Sequence, residues 1–163
     1  MEKSLPPTHK YNLNAPMMFL RVQFIHFPLE SGGMLIARAD APNDLIGDLL
    51  WTDVGRTTQT MNLQFRNDLQ SVIDGKLEIC RITGDRFQTT FSLDGLVIRD
   101  PYDDDRTAAL TMECFLRLLE SWTEAVELYN AIVDKASFLP RFFESVDGQL
   151  PIDIQDELLK RLI

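Results

Sequence analysis

An α+β fold, mostly antiparallel strands in two hairpin or meander units with a long amphipathic helix and shorter helices packed on one face, follows from three observations. Alternating residues from 17 to 39 are broken once, by the Pro28–Gly33 run PLESGG, which is the pattern of a β-hairpin. Between 76 and 99 two dipeptides, Gly84-Asp85 and Asp94-Gly95, separate short strand-like runs, and Asp-Gly between alternating residues is among the strongest hairpin signals. From 107 to 135 the apolar residues instead recur with a helical period.

Taken in order, the first elements are strands at Met17–Phe27 and Met34–Ala39. Ala41–Asp53 stays open, because Leu45, Leu49 and Leu50 permit a helical turn while Gly47 and Trp51 suit an extended segment. Thr58–Asp74 reads as a helix: Met61, Phe65, Leu69, Val72 and Ile73 share a face, a threonine can cap the start, and Gly75 stands where a left-handed residue ends a helix. Lys76–Thr83, Arg86–Leu93 and Leu96–Arg99 form a meander. The stretch Asp100–Arg106 (DPYDDDR) is expected to end the sheet, since Pro101 has no amide to donate to a ladder and consecutive acids resist burial. The long helix is then expected over Thr107–Lys135, with Asp104 or Asp105 accepting the free amides of its first turn. Phe138, Leu139, Phe142 and Phe143 form an aromatic and apolar cluster around Pro140, and are either core or a homodimer contact. Asp147-Gly148 marks a turn, and a last helix from about Asp153 aligns Leu158, Leu159 and Leu162.

A chain of 163 residues with 45% apolar content, 10 Phe and 2 Trp can build a core without disulfides or metal. Residues 17–163 read as a single domain. Residues 1–16 carry Lys3, Lys10 and three prolines and lack the apolar run of a secretory signal, so they read as a loose arm. Nowhere do 18 apolar residues follow one another, which argues against a membrane-spanning helix. Cys80 and Cys114 both sit in apolar patterns and imply packing rather than a disulfide, so a reducing, cytoplasmic setting is expected.

Charge carries the functional lead. With 25 acids against 16 bases the net charge is −9, which argues against direct nucleic-acid or anionic-membrane binding, since both require basic surface. Residues 1–99 hold 11 acids and 10 bases, so the remaining 14 acids and 6 bases place −8 within 100–163. Within the long helix Glu113, Glu120, Glu124 and Glu127 are spaced by 7, 4 and 3 and fall on one stripe. Phe115, Leu118, Trp122, Val126, Tyr129 and Val133 fall on the other side. A charged outer face is what any amphipathic helix shows to water. What sets this one apart is missing compensation. Arg117 can reach Glu113 and Glu120, but Glu120 with Glu124, and Glu124 with Glu127, are like-charge neighbours costing a few tenths of a kcal/mol each.

Catalytic chemistry finds little material. His9 lies in the arm and His26 is in register with Leu20, Val22 and Phe24 on a strand, so both read as structural. Asp100, Asp103, Asp104 and Asp105 suggest a hard cation, yet no glycine lets the chain curl around one. Nucleophile elbows, CxxC pairs and phosphate-cradling glycine loops are absent from the sequence. No cofactor is implied. The expected function is that of a non-enzymatic acidic module neutralising or escorting a basic protein, through Glu113, Glu120, Glu124, Glu127, Asp103, Asp104 and Asp105. An immunity-type inhibitor of a nuclease toxin leads. The alternatives are a secretion chaperone, a nucleic-acid mimic, or a small enzyme whose site is assembled from scattered residues such as Asp48, Asp53, Arg56, Asp85 and Arg86.

Overall fold

The structure, a computed structural model, describes residues 19–55 and 60–161, the side chains of 60–62 and 104 excepted. Strand β1 (Leu20–Phe27) turns Leu20, Val22 and Phe24 to the interior and pairs antiparallel with β2 (Met34–Ala39), Ile25 opposite Ile36. This is the hairpin expected from the sequence. The open stretch 41–53 is a turn over 41–43 and helical from Asp44 on: α1 (Asp44–Leu49) runs into a single π-turn (Leu50–Val54), closed by the Gly55 amide donating to the Leu50 carbonyl at 2.9 Å. Gly47, which suggested an extended segment, has another cause. A Cβ there would stand 3.0 Å from the Ala37 carbonyl oxygen, so glycine is what lets α1 lie close against β2.

Helix α2 (Thr60–Ile73) buries Phe65, Leu69 and Val72. Gly75, at φ +80°, ends it with a Schellman pair, its amide reaching the Val72 carbonyl while the Lys76 amide reaches that of Ser71. Next come β3 (Ile79–Thr83), β4 (Gln88–Ser92), β5 (Gly95–Asp100) and β6 (Asp103–Thr111), an antiparallel sheet in the order β3-β4-β5-β6.

The fourth strand corrects the expectation that DPYDDDR ends the sheet and that a helix starts at Thr107. Asp100 pairs with Asp103 across a two-residue turn, and the Asp100 carboxylate accepts the Tyr102 amide at 2.9 Å. In that turn Pro101 sits at a position that donates nothing, where its fixed φ is an advantage. Because β6 is an edge strand, the exposed Asp103 and Asp105 are tolerated on it.

The long helix, α3 (Met112–Ala131), therefore starts later and ends earlier than 107–135. Its N-cap is Thr111, whose hydroxyl accepts the Cys114 amide at 3.2 Å, and not Asp104 or Asp105. Val133 lies beyond it and is 99% exposed. A short 3₁₀ turn (Lys135–Ser137) follows, from which the Lys135 ammonium reaches back to the Tyr129 carbonyl. Then β7 (Arg141–Ser145) pairs with the free side of β1, giving a separate three-stranded sheet in the order β2-β1-β7. The cluster around Pro140 is thereby split: Phe138 and Phe143 are buried, whereas Leu139 and Phe142 are 79% and 46% exposed. Helix α4 (Ile152–Arg161) closes the described chain.

Side chains from both sheets and from α1 to α3 share one core, with Phe24, Phe65, Phe91, Phe115 and Trp122 among its largest members. The four-stranded sheet has a second cover. On its opposite face Leu158 of α4 packs with Val97, Ala109 and Leu150. No helix among the described residues is long and apolar enough to cross a membrane.

Candidate functional site

Helix α3 is positioned by its buried side. Trp122 is fully enclosed, edge-on to Phe24 with ring centres 5.5 Å apart, and its indole N–H donates to the Gly55 carbonyl at 3.0 Å. Phe115 and Leu118 are likewise fully buried and Tyr129 is 5% exposed, so rotation of the helix is fixed along its length. The opposite stripe must then face water, and Glu113, Glu120, Glu124 and Glu127 are all exposed.

Their compensation differs from the expected pattern. Arg117 turns away from Glu113 and Glu120 and instead meets the Asp147 carboxylate and the Ser145 hydroxyl, each at 3.3 Å. The Ser145 hydroxyl, donating to Asp147 at 2.8 Å, and the Arg117 guanidinium hold the Asp147 carboxyl below its ordinary value. Glu124 pairs with Arg141 of β7 at 3.1 Å. It is the single member of the stripe with an ion pair among the described residues. Beside the stripe runs an open groove of about 550 Å³, bounded by Glu120, Glu124 and Glu127 with Leu119 and Thr123. Arg66 of α2 crosses it to donate to the Thr123 hydroxyl at 3.2 Å. Leu116 and Leu128, 37% and 42% exposed, lie on the same side as the glutamates. The surface is thus acidic with apolar insets.

Asp103, Asp104 and Asp105 do not continue this stripe along the helix. They open β6, at the end of the strand remote from Thr111 and α3. Asp103 accepts the Asp105 amide at 3.1 Å, which folds that carboxylate onto its own backbone, while the side chain of Asp104 is outside the described residues.

The scattered set is brought together only in part. Asp53, 2% exposed, accepts the amides of Arg86 and Phe87 at 2.9 and 3.0 Å and so clamps the loop between β3 and β4 onto the π-turn. Burial pushes its carboxyl above the ordinary value, partly offset by those amides and by the Thr52 hydroxyl. Asp85 is exposed, and Arg56 is outside the described residues. The sequence reading missed Arg106, which joins Asp44 and Asp100 at 2.9 Å each and approaches Asp48 at 3.9 Å. Arg86 stands 4.0 Å from Asp100 in the same group. The one available signal was a basic residue directly after three acids. These groups satisfy one another and leave a structural network.

His26 shares a 2.9 Å hydrogen bond with the Tyr129 hydroxyl, tying β1 to the end of α3, and His9 is outside the described residues. Burial raises the thiols of Cys80 and Cys114 above their ordinary values, which disfavours the reactive thiolate. No protein family, curated protein or solved structure matches this chain.

Proposed function

We propose that the protein is a non-enzymatic binding module that docks a basic protein on the outer face of α3, as an inhibitor masking a nuclease would. The observation that carries this reading is the exposed row Glu113, Glu120, Glu124 and Glu127, with one ion pair among its described members. Like charges held three and four residues apart are mildly unfavourable for the folded helix itself, so their alignment favours a role outside it. Nuclease sites are lined by cations that receive phosphate, and a carboxylate ridge gains both fast encounter and complementarity against them. Leu116 and Leu128 supply the apolar contact that charge alone lacks. A secretion chaperone holding basic cargo would use the same face.

The test is a comparison of the immobilised protein with the variant Glu120→Lys, Glu124→Lys, Glu127→Lys in retaining basic proteins from a lysate of the source cells. Proteins held by the parent, lost by the variant and released near 0.5 M salt, where the Debye length is about 4 Å, support the reading. Melting temperature should hardly change, because the residues are exposed and the Glu124–Arg141 pair contributes at most about 1 kcal/mol. Equal retention by parent and variant rejects the ridge as the docking site.

A further inference from the structure

The three-stranded sheet has one face in the core and one face that no described helix covers, since every helix touching it packs with Leu20, Val22 and Phe24 on the inner side. An antiparallel sheet with a solvated face normally alternates apolar-in and polar-out. This one does not. Of its nine outward strand positions, five are apolar: Ile25, Phe27, Met34, Ile36 and Phe142. The register sets them side by side, with Ile25 opposite Ile36 and Phe27 opposite Met34, and Gln23 separating Phe142 from Arg38 in the next row. Phe27 is 45% and Phe142 46% exposed.

We propose that this open face is where two copies of the chain meet. Charge selects the occupant. The molecule carries −9, so most of its surface repels a second copy, yet this face holds Arg21 and Arg38 against Glu144, a surplus of one positive charge. Arg21 and Glu144 already pair within the sheet at 3.1 Å, which leaves Arg38. A two-fold axis along the strands lays β2 of one copy over β7 of the other. Arg38 then faces the second copy's Phe142, in the row it shares with Gln23, and stands one row, about 7 Å, from the second copy's Glu144. That is within reach of an arginine side chain. The same operation stacks the Ile25 row on itself, the self-complementarity that an isologous contact requires.

Area sets the strength. Strands of eight, six and five residues, about 4.8 Å apart, give a footprint of about 300 Å², less than half of the ~800 Å² per partner of a stable complex. Self-association should therefore be weak and transient.

Sedimentation equilibrium of the full chain across ~5–500 µM tests this. The mass should climb from 18.7 kDa toward twice that value as concentration rises. Phe142→Glu should hold it at the monomer mass. Arg38→Glu, an exposed change that leaves the fold intact, should raise Kd at least threefold. A monomer at every concentration overturns the proposal, whether the face is left to water or taken by residues 1–18. So does association that survives both substitutions, which would place the contact on a strand edge or elsewhere. Because the ridge on α3 takes no part, failure of either proposal leaves the other standing.

Discussion

Replacing Trp122 with alanine probes the rotation of α3, on which the exposure of the glutamates depends. The side chain is fully enclosed and edge-on to Phe24, so truncation removes the largest buried group of the core and leaves a cavity. Losses of about 3–5 kcal/mol are usual for such a change. The Gly55 carbonyl also loses its indole donor, but Gly55 is half-buried and water can replace much of that bond, adding well under about 1 kcal/mol. The expected total is about 4 kcal/mol, a large share of the ~5–15 kcal/mol that holds a domain together. Trp122→Phe keeps most of the apolar volume and should cost about 1–2 kcal/mol, separating the hydrogen bond from the cavity. Urea unfolding followed by far-ultraviolet circular dichroism is the suitable assay, because fluorescence would lose one of only two tryptophans. A loss below about 1 kcal/mol for the alanine variant would mean that the helix presents another face to the core, and the acidic stripe would lose its exposure with it.

Asp53→Ala should cost about 2–3 kcal/mol in the same assay, since it orphans the Arg86 and Phe87 amides. The sign of its pH dependence follows from a native carboxyl value raised above the unfolded 3.8. Measured against the non-titrating Asp53→Asn across a pH series, the parent should lose stability as pH rises from 3.8 through the raised native value. A difference that grows with pH would contradict the buried placement. Arg106→Ala should cost about 2–3 kcal/mol, less than a fully buried pair because Arg106 is partly exposed, and Asp100→Asn on that background should recover part of the loss. Leu158→Ala should cost about 2–3 kcal/mol and speed hydrogen exchange in α4 before the main core, because Leu158 belongs to the smaller cluster.

Some elements were legible because their causes are local. The β1–β2 hairpin and the glycine stop after α2 depend on residues within a few positions of one another. The two-sidedness of α3 does as well, since a 3.6-residue period fixes which side chains share a face whatever the rest of the chain does. The interval 93–95 shows the limit of that reading: Ser92 pairs with Gly95, so the turn is Leu93-Asp94, one position before the dipeptide that announced it.

Tertiary structure decided the rest, because each remaining feature is a choice among partners distant in sequence. Whether 103–111 becomes strand or helix turns on β5 offering an edge and on Asp100 closing the turn around Pro101. Arg117 could have served two glutamates on its own helix, yet it found Asp147, 30 positions away, and Arg106 found Asp44 at a separation of 62. The division of the 138–143 cluster between core and open face came only with the pairing of β7 to β1. Period reports which way a side chain points, while its neighbours are set by the packing of whole elements, where burial outweighs any single ion pair.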